Sequence, residues 1–216
     1  MNGFWRSLAA AIMTATLLGA PPSAPAATPP PPAPLTPQDT AELQRIAAYL
    51  DTIHTMTAHF AQATARGDAT GSVWLSRPGK MRFQYDPPNE LLLFADAFYL
   101  YSWDPDLKTM NKVGLKSTPA WFLLCQPISF TDGVTVTRFE HSGNTVKVTV
   151  VETAEPDAGS LTMVFTENPP ALRQWSVVDQ QGRVTNVSLS DVSYGMALDP
   201  KLFTYQDPFA QHRTNQ

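Results

Sequence analysis

The side chains of this chain that could do chemistry are few and scattered. Four histidines stand at His54, His59, His141 and His212. His54 and His59 straddle a predicted helix-to-strand junction, which is poor geometry for two ligands on one metal. The single cysteine, Cys125, excludes both a thiolate zinc site and an internal disulfide. It reads as a small buried apolar residue. Asp104 and Asp106 could form a carboxylate pair, but Trp103-Asp104-Pro105-Asp106-Leu107 reads as a turn. There is no H-E-x-x-H, G-x-S-x-G, P-loop or G-x-G-x-x-G segment, and no acid clusters with a base as proton transfer requires. Catalytic residues, metal and cofactor are therefore not expected. What stands out is one charge in an apolar pattern, Arg77.

The elements that position Arg77 follow from hydrophobic periodicity. Thr36-Pro37-Gln38-Asp39 supplies an N-cap, a proline in the first turn and an acid at N3. Leu43, Ile46, Ala47, Leu50 and Ile53 then recur at helical spacing, with Glu42, Gln44, Arg45 and Asp51 on the other face. The pattern predicts an amphipathic helix of about 17 residues. From Met56 the period falls to two: Met56, Ala58, Phe60 and Gln62 alternate with Thr55, Thr57, His59 and Ala61. Strand signals follow at 69–77, 80–86, 90–95, 98–103, 109–114, 134–141, 145–153, 160–166, 173–179 and 184–193. Turn signals separate many of them, at Pro78-Gly79, Pro87-Pro88, Ser142-Gly143-Asn144, Asp157-Ala158-Gly159 and Gln180-Gln181-Gly182. About eleven short strands joined by hairpin-length gaps predict an antiparallel meander curled into a barrel or half-barrel.

The hairpin at Pro78-Gly79 can be read more finely. Val73, Leu75 and Arg77 share one face of the first strand, and Met81, Phe83 and Tyr85 share one face of the second. A two-residue turn would pair Leu75 with Arg82 and mix the faces. Register follows the hydrophobic pattern, so an odd, three-residue loop is expected, pairing Arg77 with Met81, Leu75 with Phe83 and Val73 with Tyr85. Arg77 then points to the apolar side at the sheet's rim. Two outcomes are open there: a guanidinium that snorkels to solvent, or one bound to the carbonyls at the end of a covering helix. A second, very apolar helix is expected over Thr118–Gln126, with Trp121, Phe122, Leu124 and Cys125 pressed on the sheet and Pro127 as its stop. Two apolar helices over a curved sheet suggest a lid. The pattern leaves a side-chain-filled interior and a cargo cavity equally open.

The N-terminus reads as an export signal. Arg6 precedes an apolar run from Leu8 to Ala20, and Ala24 and Ala26 fit an A-x-A cleavage site. The run is about thirteen residues, against the ~20 a bilayer crossing needs. No cysteine follows the cleavage point, so an untethered mature protein is expected. The organisation is a signal peptide over 1–26, a proline-rich linker over 27–37, expected to be an extended, flexible spacer, and one domain over 38–216. The net charge of −4 argues against a nucleic-acid partner.

Ordered blocks of sequence then resemble the LolA family, periplasmic chaperones that carry lipoproteins to the bacterial outer membrane. Ala58-His59-Phe60-Ala61-Gln62 is similar to the family's first strand. Gly71-Ser72-Val73-Trp74-Leu75-Ser76-Arg77-Pro78-Gly79-Lys80-Met81-Arg82-Phe83 is similar to its most specific block. Leu91-Leu92-Leu93 with Asp96, Leu100-Tyr101, Asp104-Pro105, Thr118-Pro119 with Phe122-Leu123-Leu124, and Leu202-Phe203 with Pro208 continue the match. The family often has Asp-Gly before its aromatic strand, where this chain has Asp96-Ala97, a change that bears on the turn and on the register of 98–103.

The resemblance implies an incomplete β-barrel with a helical lid over a hydrophobic cavity for acyl chains, and no enzymatic activity or cofactor. It implies a lid latch at Arg77. It places Phe60, Val73, Leu75, Met81, Phe83 and Tyr85 on the cavity wall, and Leu43, Ile46, Leu50, Trp121, Phe122 and Leu124 on the lid. Implied partners are acylated lipoproteins, an inner-membrane ABC transporter that loads the carrier and an outer-membrane receptor lipoprotein that unloads it, with the carrier a periplasmic monomer. Two alternatives stay open: a carrier of another lipid on the same fold, such as a glycolipid or polymer-linked lipid, and a receptor-like outer-membrane member of the fold class.

Overall fold

A computed structural model describes residues 30–204 except 90, 105 and 106. The signal peptide, the start of the linker, Asp106, Pro208 and His212 lie outside the described residues.

The first element is helix α1 (Pro37–Thr52). Its start is a reciprocal cap: Asp39 N donates to Thr36 Oγ1 at 3.2 Å, and Thr36 N donates to Asp39 Oδ2 at 2.9 Å. Leu43, Ile46 and Leu50 form its buried stripe. The extended chain leading into it is not a bare spacer throughout. Ala33 N donates to Val136 O at 2.8 Å, and Ala33 and Leu35 pack on the core.

The strands are β1 (Thr55–Thr64), β2 (Gly67–Ser76), β3 (Lys80–Tyr85), β4 (Leu92–Asp96), β5 (Tyr99–Asp104), β6 (Thr109–Gly114), β7 (Val134–Ser142), β8 (Thr145–Glu152), β9 (Gly159–Glu167), β10 (Pro170–Asp179) and β11 (Val184–Tyr194). They form one antiparallel sheet in the order β6-β5-β4-β3-β2-β1-β11-β10-β9-β8-β7. Two hairpin meanders, β1 to β6 and β7 to β11, are joined where β1 pairs with β11. β6 and β7 are the two ends of the strand order, so the sheet is open: of the barrel and half-barrel the pattern allowed, it is the half-barrel, as the family resemblance implies. Register shifts with the extra residue on β11, β7 and β10 add the local twist that curls a sheet this wide.

Three expectations change in detail. The β2–β3 loop has odd length, but it is Arg77-Pro78-Gly79, so Leu75 pairs with Met81 and Val73 with Phe83. The slip of two positions preserves every face, because side chains alternate with a period of two. It moves Arg77 off the strand and into the loop. The second helix is one turn, α2 (Trp121–Leu124), after a 3-10 turn at Leu115–Ser117. Thr118 does not cap it; its hydroxyl donates back to Leu115 O at 2.8 Å. Cys125 is already extended, in keeping with the bias a following proline imposes at Gln126. Finally, Ala97 takes the left-handed conformation a glycine would, with φ 87°. Asp96 Oδ1 accepts from Phe98 N at 3.0 Å and Tyr99 N at 2.9 Å and braces the turn. Ala95 therefore still pairs with Leu100.

The core lies on the inner face, between the sheet and the two helices. A smaller apolar group, Leu92, Phe94 and Trp103 with Tyr101 and Met110, occupies the outer face of β4–β6. The 3-10 turn Pro200–Phe203 lies against β3 and β4, where Arg82 Nη1 donates to Leu202 O at 3.1 Å.

Candidate functional site: an apolar interior and its lid

The inner wall starts on β1–β3. Phe60, Val73, Leu75, Met81, Phe83 and Tyr85 are all buried. The Phe60 ring meets Phe83 at 4.8 Å and Tyr85 at 5.0 Å. This contact depends on Gly71, where a Cβ would stand 2.8 Å from the Phe60 ring and 2.2 Å from Gln84 O. The Tyr85 hydroxyl donates to Gln62 Oε1 at 2.8 Å, so each satisfies a buried polar group. Burial pushes the Tyr85 phenol up to about 12.

The opposite wall comes from the second meander and was not singled out from sequence. Val146, Val148, Leu161, Met163, Phe165, Leu172 and Trp175 are buried there, and Trp175 meets Phe83 edge-on at 6.2 Å. The strict alternation of Leu161, Met163 and Phe165 carried a readable signal. Leu172 and Trp175 did not, because the register shift between Leu172 and Gln174 breaks the period of two.

α1 and α2, the expected lid, pack against this interior. Leu43, Ile46 and Leu50 of α1 and Phe122 and Leu124 of α2 are buried, while Trp121 is half-buried. Beneath it, Ile53, Met56, Val73, Leu75, Arg77, Met81, Phe83, Leu123, Leu172 and Trp175 surround an apolar void. The void offers about 20 Å³ to the centre of a water-sized sphere, room for about one water. The side chains around this void leave no more room than that, with α1 and α2 packed over it.

Arg77 bonds to both helices. It is 8% exposed. Its Nε donates to Leu123 O of α2 at 2.7 Å, and its Nη1 donates to Leu50 O in the last turn of α1. Arg77 N donates to His54 O and Gly79 N to Leu124 O, each at 2.8 Å. One loop thus takes up carbonyls at the C-terminal ends of both helices, where the macrodipole is negative. Burial pushes the guanidinium below its ordinary value, with the Asp51 carboxylate acting the other way; it stays charged at neutral pH. Burial also pushes the Cys125 thiol up to about 11, so it stays neutral.

Further contacts hold α1. The Tyr49 hydroxyl accepts from Leu172 N at 3.1 Å, which satisfies the N–H next to the register shift, and bonds the Tyr194 hydroxyl at 2.9 Å. Asp51 Oδ1 accepts from Ile128 N at 2.8 Å. Among the described residues no group of His, Cys, Asp and Glu side chains converges as a metal site.

The site is an open antiparallel sheet whose apolar inner face packs against two helices, both bonded to one buried arginine. Residues 51–206 match the family model for the outer membrane lipoprotein carrier protein LolA. An outer-membrane lipoprotein carrier protein of Pseudomonas paraeruginosa is 31% identical over 180 residues, covering 79% of this chain and 86% of the relative. One from Legionella pneumophila is 29% identical over 168 residues, covering 74% and 82%. A crystal structure of a LolA-superfamily protein from Nitrosomonas europaea aligns with a TM-score of 0.46 at 10% identity, over 77% of this chain and 97% of that one. The chain belongs to the LolA family, whose members are carriers and not enzymes.

Proposed function

We propose that this protein is a periplasmic chaperone. It accepts lipoproteins released from the inner membrane by an ABC-type transporter, holds their acyl chains against the concave apolar face, and delivers them to a receptor lipoprotein at the outer membrane. The observation that carries this reading is the single buried guanidinium of Arg77, bonded to both lid helices above an apolar wall. Such a lid opens as a unit when those bonds are exchanged. Phe60, Val73, Leu75, Met81, Phe83 and Tyr85 would then meet acyl chains, together with Leu172 and Trp175.

The filled interior fits the energetics of a carrier that must also release. Each buried CH₂ is worth ~0.8 kcal/mol, so chains sunk in a rigid, empty cavity would leave too slowly. When the protein's own side chains fill the closed state, closure competes with cargo and lowers the net affinity.

Mass spectrometry of material co-purified from the periplasm tests the cargo. Triacylated lipoproteins are expected; free glycolipid in their place would replace this reading with a carrier of another lipid. Phe83→Glu should abolish lipoprotein release from inner-membrane vesicles, and unchanged release would remove β3 from the cargo site.

A further inference from the structure

Helix α1 runs about 24 Å, from the β7 side of the sheet to the β2–β3 loop. Arg77 secures only its C-terminal end. At the other end stands His141 on β7, 44% exposed, with a carboxylate at each ring nitrogen. Nδ1 is 2.8 Å from Glu167 Oε1 on β9, and Nε2 is 3.4 Å from Asp39 Oδ1 in the first turn of α1. The carboxylates sit on opposite sides of the ring, so they do not converge on a metal. Both nitrogens can donate only when the imidazole is protonated.

We propose that His141 is a second, proton-dependent fastening of the lid: its charged ring ties α1, through Asp39, to the sheet, through Glu167. The proposal rests on reading α1 as a lid over a cargo site. Asp39 is well placed to transmit the pull, because its other oxygen is bonded to Thr36 N and Oγ1 at the helix cap. A bare cation at a helix N-terminus would oppose the macrodipole; here a carboxylate stands between them.

The other charges nearby are engaged elsewhere. On α1, Arg45 closes on Glu42 at 2.6 Å. On β7, Arg138 and Glu140 pair at 3.6 Å, on the face opposite His141 by strand alternation. On β8, Lys147 is opposite Glu140, while Val146 is opposite His141. The Phe139 ring meets His141 edge-on at 5.1 Å. The hydrogen bond to Glu167, and then that to Asp39, push the imidazole above its ordinary value. A raised folded value means that the fastening is complete below about 6.5 and is lost as pH rises through the folded value. Once the ring is neutral, one carboxylate loses its donor.

The test is amide hydrogen exchange at residues 37–43, corrected for intrinsic exchange, together with uptake of the apolar fluorophore N-phenyl-1-naphthylamine, at pH 5.5 and pH 8. Opening in the wild type should rise about threefold with pH, the scale of an exposed ion pair. His141→Gln should be open and flat with pH. His141→Arg, which keeps a charge, should be closed at both. An NMR titration of the wild-type ring should give a midpoint above 6.5. The proposal is overturned if His141→Gln keeps the wild-type pH dependence, or if the ring titrates at or below its ordinary value. If exchange follows His141 while no variant, Arg77→Leu included, takes up the fluorophore, the fastening stands and the cargo reading fails.

Discussion

The two ends of helix α1 are held by opposite means. At the C-terminal end a buried guanidinium, 8% exposed, donates to helix carbonyls. At the N-terminal end a half-exposed imidazole meets carboxylates from α1 and β9. The buried end is strong because each unpaired group there would bear its full desolvation cost. The exposed end is weak and adjustable, because water and salt compete with it. The two ends of the helix thus differ in burial and, with it, in how strongly they are held.

Breaking the buried end should have the largest effect. Arg77→Leu takes the guanidinium donor from Leu123 O and from Leu50 O, which keeps the N–H of Ile53, and should cost about 3 kcal/mol of stability, read from urea unfolding. Exchange should rise at residues 46–52 before it rises at 37–43. Cargo should stay bound but be poorly handed on; normal transfer by this variant would remove the latch from the mechanism. Tyr49→Phe acts between the ends. It removes the acceptor of Leu172 N and the partner of the Tyr194 hydroxyl. A loss of about 1 kcal/mol is expected, and an unchanged unfolding midpoint would mean that water replaces the hydroxyl. Thr36→Ala acts at the exposed end. It deletes the acceptor of Asp39 N, with an expected loss of about 1 kcal/mol or less. It should also flatten the pH dependence attributed to His141, because the cap orients Asp39. Full pH dependence in that variant would separate the cap from the fastening.

Much of the frame was legible. The cap at Thr36, the stripe of Leu43, Ile46 and Leu50, and the alternation on β1, β2 and β3 are local patterns, and they became elements within a residue or two of where the pattern set them. The hairpin showed the limit of parity. Faces were right while the pairing was off by two, because alternation is blind to an even slip. The length of α2 was not legible, because its end depends on carbonyls claimed by Arg77 and Gly79 from a distant loop. The Trp175 wall was hidden by the β10 register shift.

By itself, the chain's order of residues determined an antiparallel, curled meander, a capped amphipathic helix to cover it, and a positive charge at an apolar rim. Those follow from periodicity and turn chemistry, which act over a few residues. Only the tertiary structure decided that Arg77 reaches two helices at once, that side chains of both meanders pack together beneath them, and that Asp39, His141 and Glu167 meet. Each of these joins groups that are far apart in sequence, and no local pattern records a contact that exists only after the sheet has curled.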